Sequence, residues 1–249
     1  MIDTSSNINL VHPTEYISFY EQEAKYIHEL CDKYYQDQNS PKEVGGYLQL
    51  RQEDSAGLAK VLESYSGMRR KSGGHVAEHS LRLVKLAKHL GVTDDKVFQL
   101  ALVHDLQEDA GESEEEIAEL FGKEIGSLSS QMTEQRDNED RDKDLVRFVK
   151  KLSISGPIVA QVEVLDRLDD ISDIGYWTSQ LDGKDGEKFL EVVAKKLAKC
   201  RYTVDNIEIP ETAQQPFNIF NQLYQHQIST WNVPLAKIQE YIKVYEGLE

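Results

Sequence analysis

The chain has 249 residues, with 28 lysines and arginines against 44 aspartates and glutamates, and a formal charge of −16. An apolar fraction of 39% beside 29% charged residues suits a soluble globular protein with a real core, and the acidic balance argues against a nucleic-acid partner, because phosphate backbones are gripped by basic stripes. The N-terminal residues lack the basic flank and apolar run of a secretory signal and no stretch is apolar for long enough to span a bilayer, so the expectation is a cytoplasmic protein with no membrane partner. Cys31 and Cys200 stand far apart in no metal-binding spacing and read as reduced structural residues.

Hydrophobic periodicity predicts an all-α fold. Residues 15–36 carry Tyr16, Phe19, Tyr20, Ala24, Ile27, Leu30 and Cys31 at helical spacing. Residues 37–46 read as a polar connector, because Pro and Gly interrupt them. A second helix is predicted over 55–66 and a loop over 67–74. The helix predicted over 75–90 gathers Val76, His79, Leu83, Ala87 and Leu90 inward, and Gly91 is placed to end it in the left-handed conformation. Thr93, Asp94 and Asp95 offer a cap and first-turn carboxylates to a helix through 97–106. Ser113 and Glu116 form a capping-box pattern that opens one helix through 133. The charge run 134–144 reads as a solvated connector or helix start without chemistry. Pro157 suits the first turn of a helix that continues to 171. A further amphipathic helix covers 186–203, a polar stretch with prolines follows, and 216–248 is aromatic-rich and helical. The simplest division is an N-terminal helical extension over 1–50, a core over 51–205 and a C-terminal helical extension over 206–249.

The chemistry begins at His79, three residues after Val76 and four before Leu83. A histidine facing inward by itself is ordinarily a satisfied core residue. The next helix changes that reading, because its apolar run ends in His104, Asp105, Glu108 and Asp109. Burying such groups without compensating charge costs on the order of several kcal/mol each. A divalent cation supplies that charge, since it takes neutral imidazole and ionised carboxylate as ligands. His104 and Asp105 point about 100° apart on a helix, so both reach one ion only if the helix end comes close to it. Glu108 falls on the same face and stands beside the ion without having to bind it. The fourth candidate ligand is Asp166, with Val162 four residues before it and Asp169 three after, an inward face that turns from apolar to acidic.

The order His79, His104-Asp105, Asp166 resembles the metal pattern of HD domains. The stretch over about 65–171 resembles the hydrolase domain of RelA/SpoT-type enzymes and the stand-alone small alarmone hydrolases. The resemblance rests on Arg70-Lys71-Ser72-Gly73 ahead of His79, on His104-Asp105-Leu106-Gln107-Glu108-Asp109, on Glu119-Leu120-Phe121-Gly122 with Thr133 further on, and on Asp166-Arg167-Leu168. It implies an HD-type helical bundle and Mn²⁺-dependent removal of the 3′-pyrophosphate from ppGpp and pppGpp. Under it, His79, His104, Asp105 and Asp166 hold the ion, and Glu108 and Asp109 orient or deprotonate water and assist the leaving group. Arg70, Lys71 and Ser72 hold base and phosphates, and Asp170 meets the ribose. A set of two imidazoles and two carboxylates also suits Fe²⁺, Zn²⁺ or Co²⁺; the resemblance alone selects manganese. The chain departs from the family pattern where Asp169 and Asp170 replace His-Asn, where Tyr65 replaces His and where Ala110 replaces Thr. Two extra carboxylates beside a polyphosphate are expected to repel it unless they are screened. The alternatives are therefore an HD phosphatase of another phosphorylated nucleotide, such as NADPH, and a nucleotide-binding protein without turnover.

Overall fold

Twelve α-helices and no strand form among residues 13–36, 38–70, 73–135, 140–174 and 186–248, which the computed structural model describes. They are α1 (Pro13–Tyr35), α2 (Pro41–Leu48), α3 (Ser55–Ser64), α4 (Ala77–His89), α5 (Asp95–Val103), α6 (Glu114–Phe121), α7 (Lys123–Met132), α8 (Arg141–Leu152), α9 (Pro157–Ser172), α10 (Gly186–Asp205), α11 (Gln214–Trp231) and α12 (Leu235–Glu246). The protein is thus all-α, as its periodicity predicts. None of these helices is long and apolar enough to cross a membrane.

Helix α9 lies at the centre. Every residue from Val159 to Asp169 is buried, which is the signature of a helix surrounded on all sides. Helices α4, α5, α10 and α11 pack around it, α1 lies against α4 and α11, and α12 covers α10 and α8. Fully burying each valine or leucine of this core contributes about 1.5–3 kcal/mol. The same buried stretch nevertheless includes Glu163, Asp166, Arg167 and Asp169, and this is where the chemistry concentrates.

Several boundaries differ from the sequence expectation, each for a local reason. Residues 41–48 form a helix rather than a connector: Ser40 Oγ accepts from the Glu43 backbone N–H at 3.3 Å, Glu43 accepts from the Ser40 N–H at 2.7 Å, and Pro41 starts the first turn. Val44 and Leu48, one turn apart, anchor its buried face. The helix predicted through 133 is two helices, because Gly122 adopts φ +92° and redirects the chain between α6 and α7. The charge run ends in the cap of α8, with the Asp140 carboxylate accepting from the Asp142 and Lys143 N–H groups. Helix α5 stops at Val103 instead of continuing to 106, and a wider π-helical turn occupies Leu106–Ala110. Gly91, as expected, ends the α4 region with φ +75°.

Candidate metal centre

The donors come from three helices packed against one another. His79 sits in the first turns of α4, His104 and Asp105 at the break after α5, and Asp166 in the middle of α9. The break matters, because a continuous helix keeps His104 and Asp105 a full 100° apart, whereas a change of winding at functional sites re-aims neighbouring side chains.

The four side chains converge. His79 Nε2 is 3.2 Å from His104 Nε2, 3.0 Å from Asp166 Oδ1 and 3.7 Å from Asp105 Oδ2, and His104 Nε2 is 3.1 Å from Asp105 Oδ2. His79, His104 and Asp166 are buried; a third of the Asp105 side chain remains accessible. The outer nitrogens fix the tautomers. His79 Nδ1 lies 2.7 Å from Asp169 Oδ2 and His104 Nδ1 lies 2.9 Å from the Ala101 carbonyl oxygen, so both Nδ1–H groups donate outward. In the neutral rings the two Nε2 lone pairs then face each other and two carboxylates. Either protons on the rings or a bound cation reconciles four electron-rich atoms at such distances. Donors about 2.0–2.2 Å from one ion lie about 2.8–3.6 Å from each other when the bonds open at tetrahedral or octahedral angles. The residues therefore fit a divalent ion; His79, His104 and Asp166 form the tight buried group that could hold it, with Asp105 beside them.

Without the ion, protons take its place. Burial opposes a charged imidazole, but Asp105 and Asp166 outweigh it and push His104 up to about 9. Burial likewise opposes an ionised Asp105, yet the charge on His104 brings its carboxyl down to about 2.

A second set of contacts holds the ligands in place. Asp169, 1% exposed, accepts from His79 Nδ1 and is forked by Arg82 Nε and Nη2, both at 2.8 Å. A buried carboxylate that aligns a ligand imidazole fixes its orientation and raises its basicity. Arg167 clamps three carboxylates of its own helix, Glu163 at 2.7 Å, Asp170 at 2.9 Å and Asp166 through a short contact. Asp166 thus gives Oδ1 to the centre and Oδ2 to Arg167.

Two cavities open on the centre. One, of about 430 Å³, is bordered by Tyr65, Arg70, Asp105, Asp109 and Lys196; the other, of about 200 Å³, by Glu108, Asp109, Glu163, Arg167 and Lys199. Glu108 accepts from the Glu134 backbone N–H at 3.2 Å. Burial, reinforced by the charge of Asp105, raises the Asp109 carboxyl above its ordinary range, the direction that suits proton transfer near neutrality.

The expected site residues divide as follows. His79, His104, Asp105 and Asp166 meet; Glu108, Asp109 and Arg70 border the adjoining cavities; Lys71 and Ser72 lie outside the described residues. Asp169 and Asp170, expected to repel a phosphate unless screened, both have cationic partners, though Asp170 still borders the smaller cavity. Asp169 is turned away from the cavities into its fork with Arg82, and Asp170 is paired with Arg167 and with Lys196 at 3.1 Å. Sequence reasoning missed Arg82, Lys196 and Lys199, and named Arg167 only within Asp166-Arg167-Leu168, without a role at the site. Arg82 was within reach of it: His79 and Arg82 share the spacing of Asp166 and Asp169, so two facing helices present matched i, i+3 pairs. No family model matches this chain, and no curated protein or solved structure matches it either.

Proposed function

We propose that this chain is a metal-dependent phosphohydrolase of a phosphorylated nucleotide, with the 3′-pyrophosphate of a guanosine alarmone as its leading substrate and Mn²⁺ as its ion. One observation carries the reading: two imidazoles with fixed tautomers aim their lone pairs at one point, beside two carboxylates and two cavities. A divalent ion at that point acidifies water and offsets charge on phosphoryl oxygens.

The chain's own residues supply the rest. Asp109 and Glu108 border the cavity from the π-helical turn and handle protons: one leaves the attacking water as its oxygen joins phosphorus, and one reaches the departing 3′ oxygen as the P–O bond breaks. Arg70, Lys196 and Lys199 bring positive charge to the cavity walls, where arginine forks and lysine ammonium groups receive phosphate oxygens. In a chain of charge −16 these cations stand among carboxylates of the same walls, Glu108, Asp109 and Asp170 included. Such chemistry on a diffusible nucleotide suits the cytoplasm.

Purified protein incubated with Mn²⁺ and ppGpp is expected to release pyrophosphate. The engagement of Asp170 by Arg167 and Lys196, instead of a free partner for ribose, favours a second reading in which another nucleotide such as NADPH is the substrate. Orthophosphate from NADPH, with ppGpp untouched, would decide for that reading. No product from ppGpp, NADPH or mononucleotides with any divalent metal removes the enzyme reading.

A further inference from the structure

Tyr65 borders the larger cavity at the metal centre together with Arg70, Ser80, Asp105, Asp109 and Lys196. It closes the last turn of α3, where its N–H donates to the Val61 carbonyl at 3.2 Å and its own carbonyl accepts from the Met68 N–H at 3.0 Å. Helix α3 packs in turn against α5, α6 and the π-helical turn that carries Glu108 and Asp109. The backbone is thus fixed on both sides of the ring.

The ring is fully buried, and its hydroxyl has no hydrogen-bond partner among the described residues, where native interiors satisfy nearly all such groups. Ser80 of α4 stands beside it without the geometry of a hydrogen bond. Tyr20 and Tyr245 carry orphaned hydroxyls as well, but Tyr20 borders a third cavity, of about 540 Å³ between α1 and α11, and Tyr245 borders neither cavity at the metal. Of these three described tyrosines, Tyr65 alone stands beside the centre. The charges that act on its hydroxyl are those of the cavity walls. Asp105 and Asp109 join burial in pushing the phenol above its ordinary range, and Arg70 opposes them. The group therefore keeps its proton and stands as a neutral donor.

Neither carboxylate accepts from this hydroxyl, and Asp105 is drawn to the ion when one binds. The acceptor that remains is one brought by the ligand. A phosphoryl group presents three strong acceptor oxygens; the ion, Arg70 and Lys196 draw it to this cavity, and a neutral O–H binds one of its oxygens without adding charge to the wall. We propose that the Tyr65 hydroxyl donates to a phosphoryl oxygen of the ligand, which makes Tyr65 a substrate-contacting residue. The inference rests on the phosphohydrolase reading and gives a role to a position where this chain departs from the family pattern.

Inorganic phosphate is the probe, titrated calorimetrically into the Mn²⁺-loaded full chain with the metal content checked after each titration. Tyr65→Phe removes only the hydroxyl. Its affinity for phosphate is expected to fall about tenfold to a hundredfold, while its urea midpoint stays level or rises, because a buried hydroxyl without a partner is lost. In hydrolysis the same variant should raise KM with kcat nearly unchanged. A merely structural hydroxyl gives the opposite pair, a lower midpoint with phosphate affinity retained, and that result overturns the proposal. Should the variant fail to fold, a crystal structure of the wild type with Mn²⁺ and phosphate decides. A phosphate oxygen within about 3 Å of Tyr65 Oη supports the contact; a hydroxyl bonded only to Ser80 or to water overturns it, as does the absence of saturable phosphate binding by the wild type. Phosphate binding that depends on Tyr65, without hydrolysis of any nucleotide, would remove the proposed function and leave this contact standing. Hydrolysis and phosphate binding unchanged in Tyr65→Phe would do the reverse.

Discussion

Two histidine–carboxylate clusters lie one helical turn apart along residues 75–79, and only one brings its donors close enough together that it could hold an ion. Around His79 the outer nitrogens are occupied by Asp169 and the Ala101 carbonyl, and the inner nitrogens of His79 and His104 come within 3.2 Å. Around His75 the same residue types pair off. His75 Nε2 bonds Asp32 at 2.8 Å, His28 Nδ1 bonds Glu78 at 2.8 Å, and the two rings are 6.4 Å apart. Asp32 also stands 3.5 Å from His28 Nε2, and His75 Nδ1 is buried without a partner, so the ring nitrogens of this cluster do not come together as those of His79 and His104 do. Residue composition is alike in the two clusters. What separates them is whether a second partner turns each ring so that its free nitrogen faces the others.

The sharpest way to break the comparison is to remove a converging donor. His104→Ala or Asp166→Ala should reduce bound manganese from about one equivalent to near zero and bring hydrolysis to background, measured by elemental analysis and phosphate release. His75→Asn should leave the metal content unchanged. Equal loss from both clusters would refute the distinction.

Next in size is Asp169→Asn, which keeps the shape and removes the charge. Metal affinity measured by calorimetry should fall about 10–100-fold. Urea unfolding should show a loss of about 3–5 kcal/mol, because Arg82 is left buried without its counter-charge. Arg82→Lys keeps a positive charge but not the fork and should lie between this variant and the wild type.

Asp32→Asn probes the other cluster, where Asp32 is 38% exposed on its side chain. Solvent screening limits its cost to about 1 kcal/mol or less, with manganese affinity unchanged. A tenfold change in that affinity would show that the clusters are coupled.

A further test is a pH slope in the metal-free protein. Glu163 is fully buried, and burial pushes its carboxyl up to about 7 despite Arg167 beside it. A carboxyl raised on folding binds protons more tightly in the folded state. Its contribution to stability is therefore present below the unfolded value of about 4.3 and is lost as pH rises through about 7. Between pH 5 and pH 8 the urea midpoint of the wild type should fall more than that of Glu163→Gln; parallel slopes would discard this account.

Much of the centre was legible in the sequence because helices translate spacing into facing. His79 between Val76 and Leu83, and Asp166 four residues after Val162, declare an inward direction without any tertiary knowledge. The break after Val103 was not legible, since the apolar run 97–106 continues the helical period through it. Asp169 illustrates the limit best. Its spacing placed it on the inward face, but whether it met a substrate phosphate or Arg82 depended on how α4 and α9 cross.

The sequence by itself determined the helical class, the caps at Ser113 and Gly91, and the inward direction of His79 and Asp166, because these follow from interactions within a turn or two of chain. The tertiary structure alone decided that His79 and His104 share a point while His75 and His28 do not, that Asp169 serves the ligand rather than opposing a phosphate, and that α1 and α11 enclose a third cavity. Those outcomes depend on tenths of an ångström between helices far apart in sequence. Packing sets such distances, and periodicity carries no record of them.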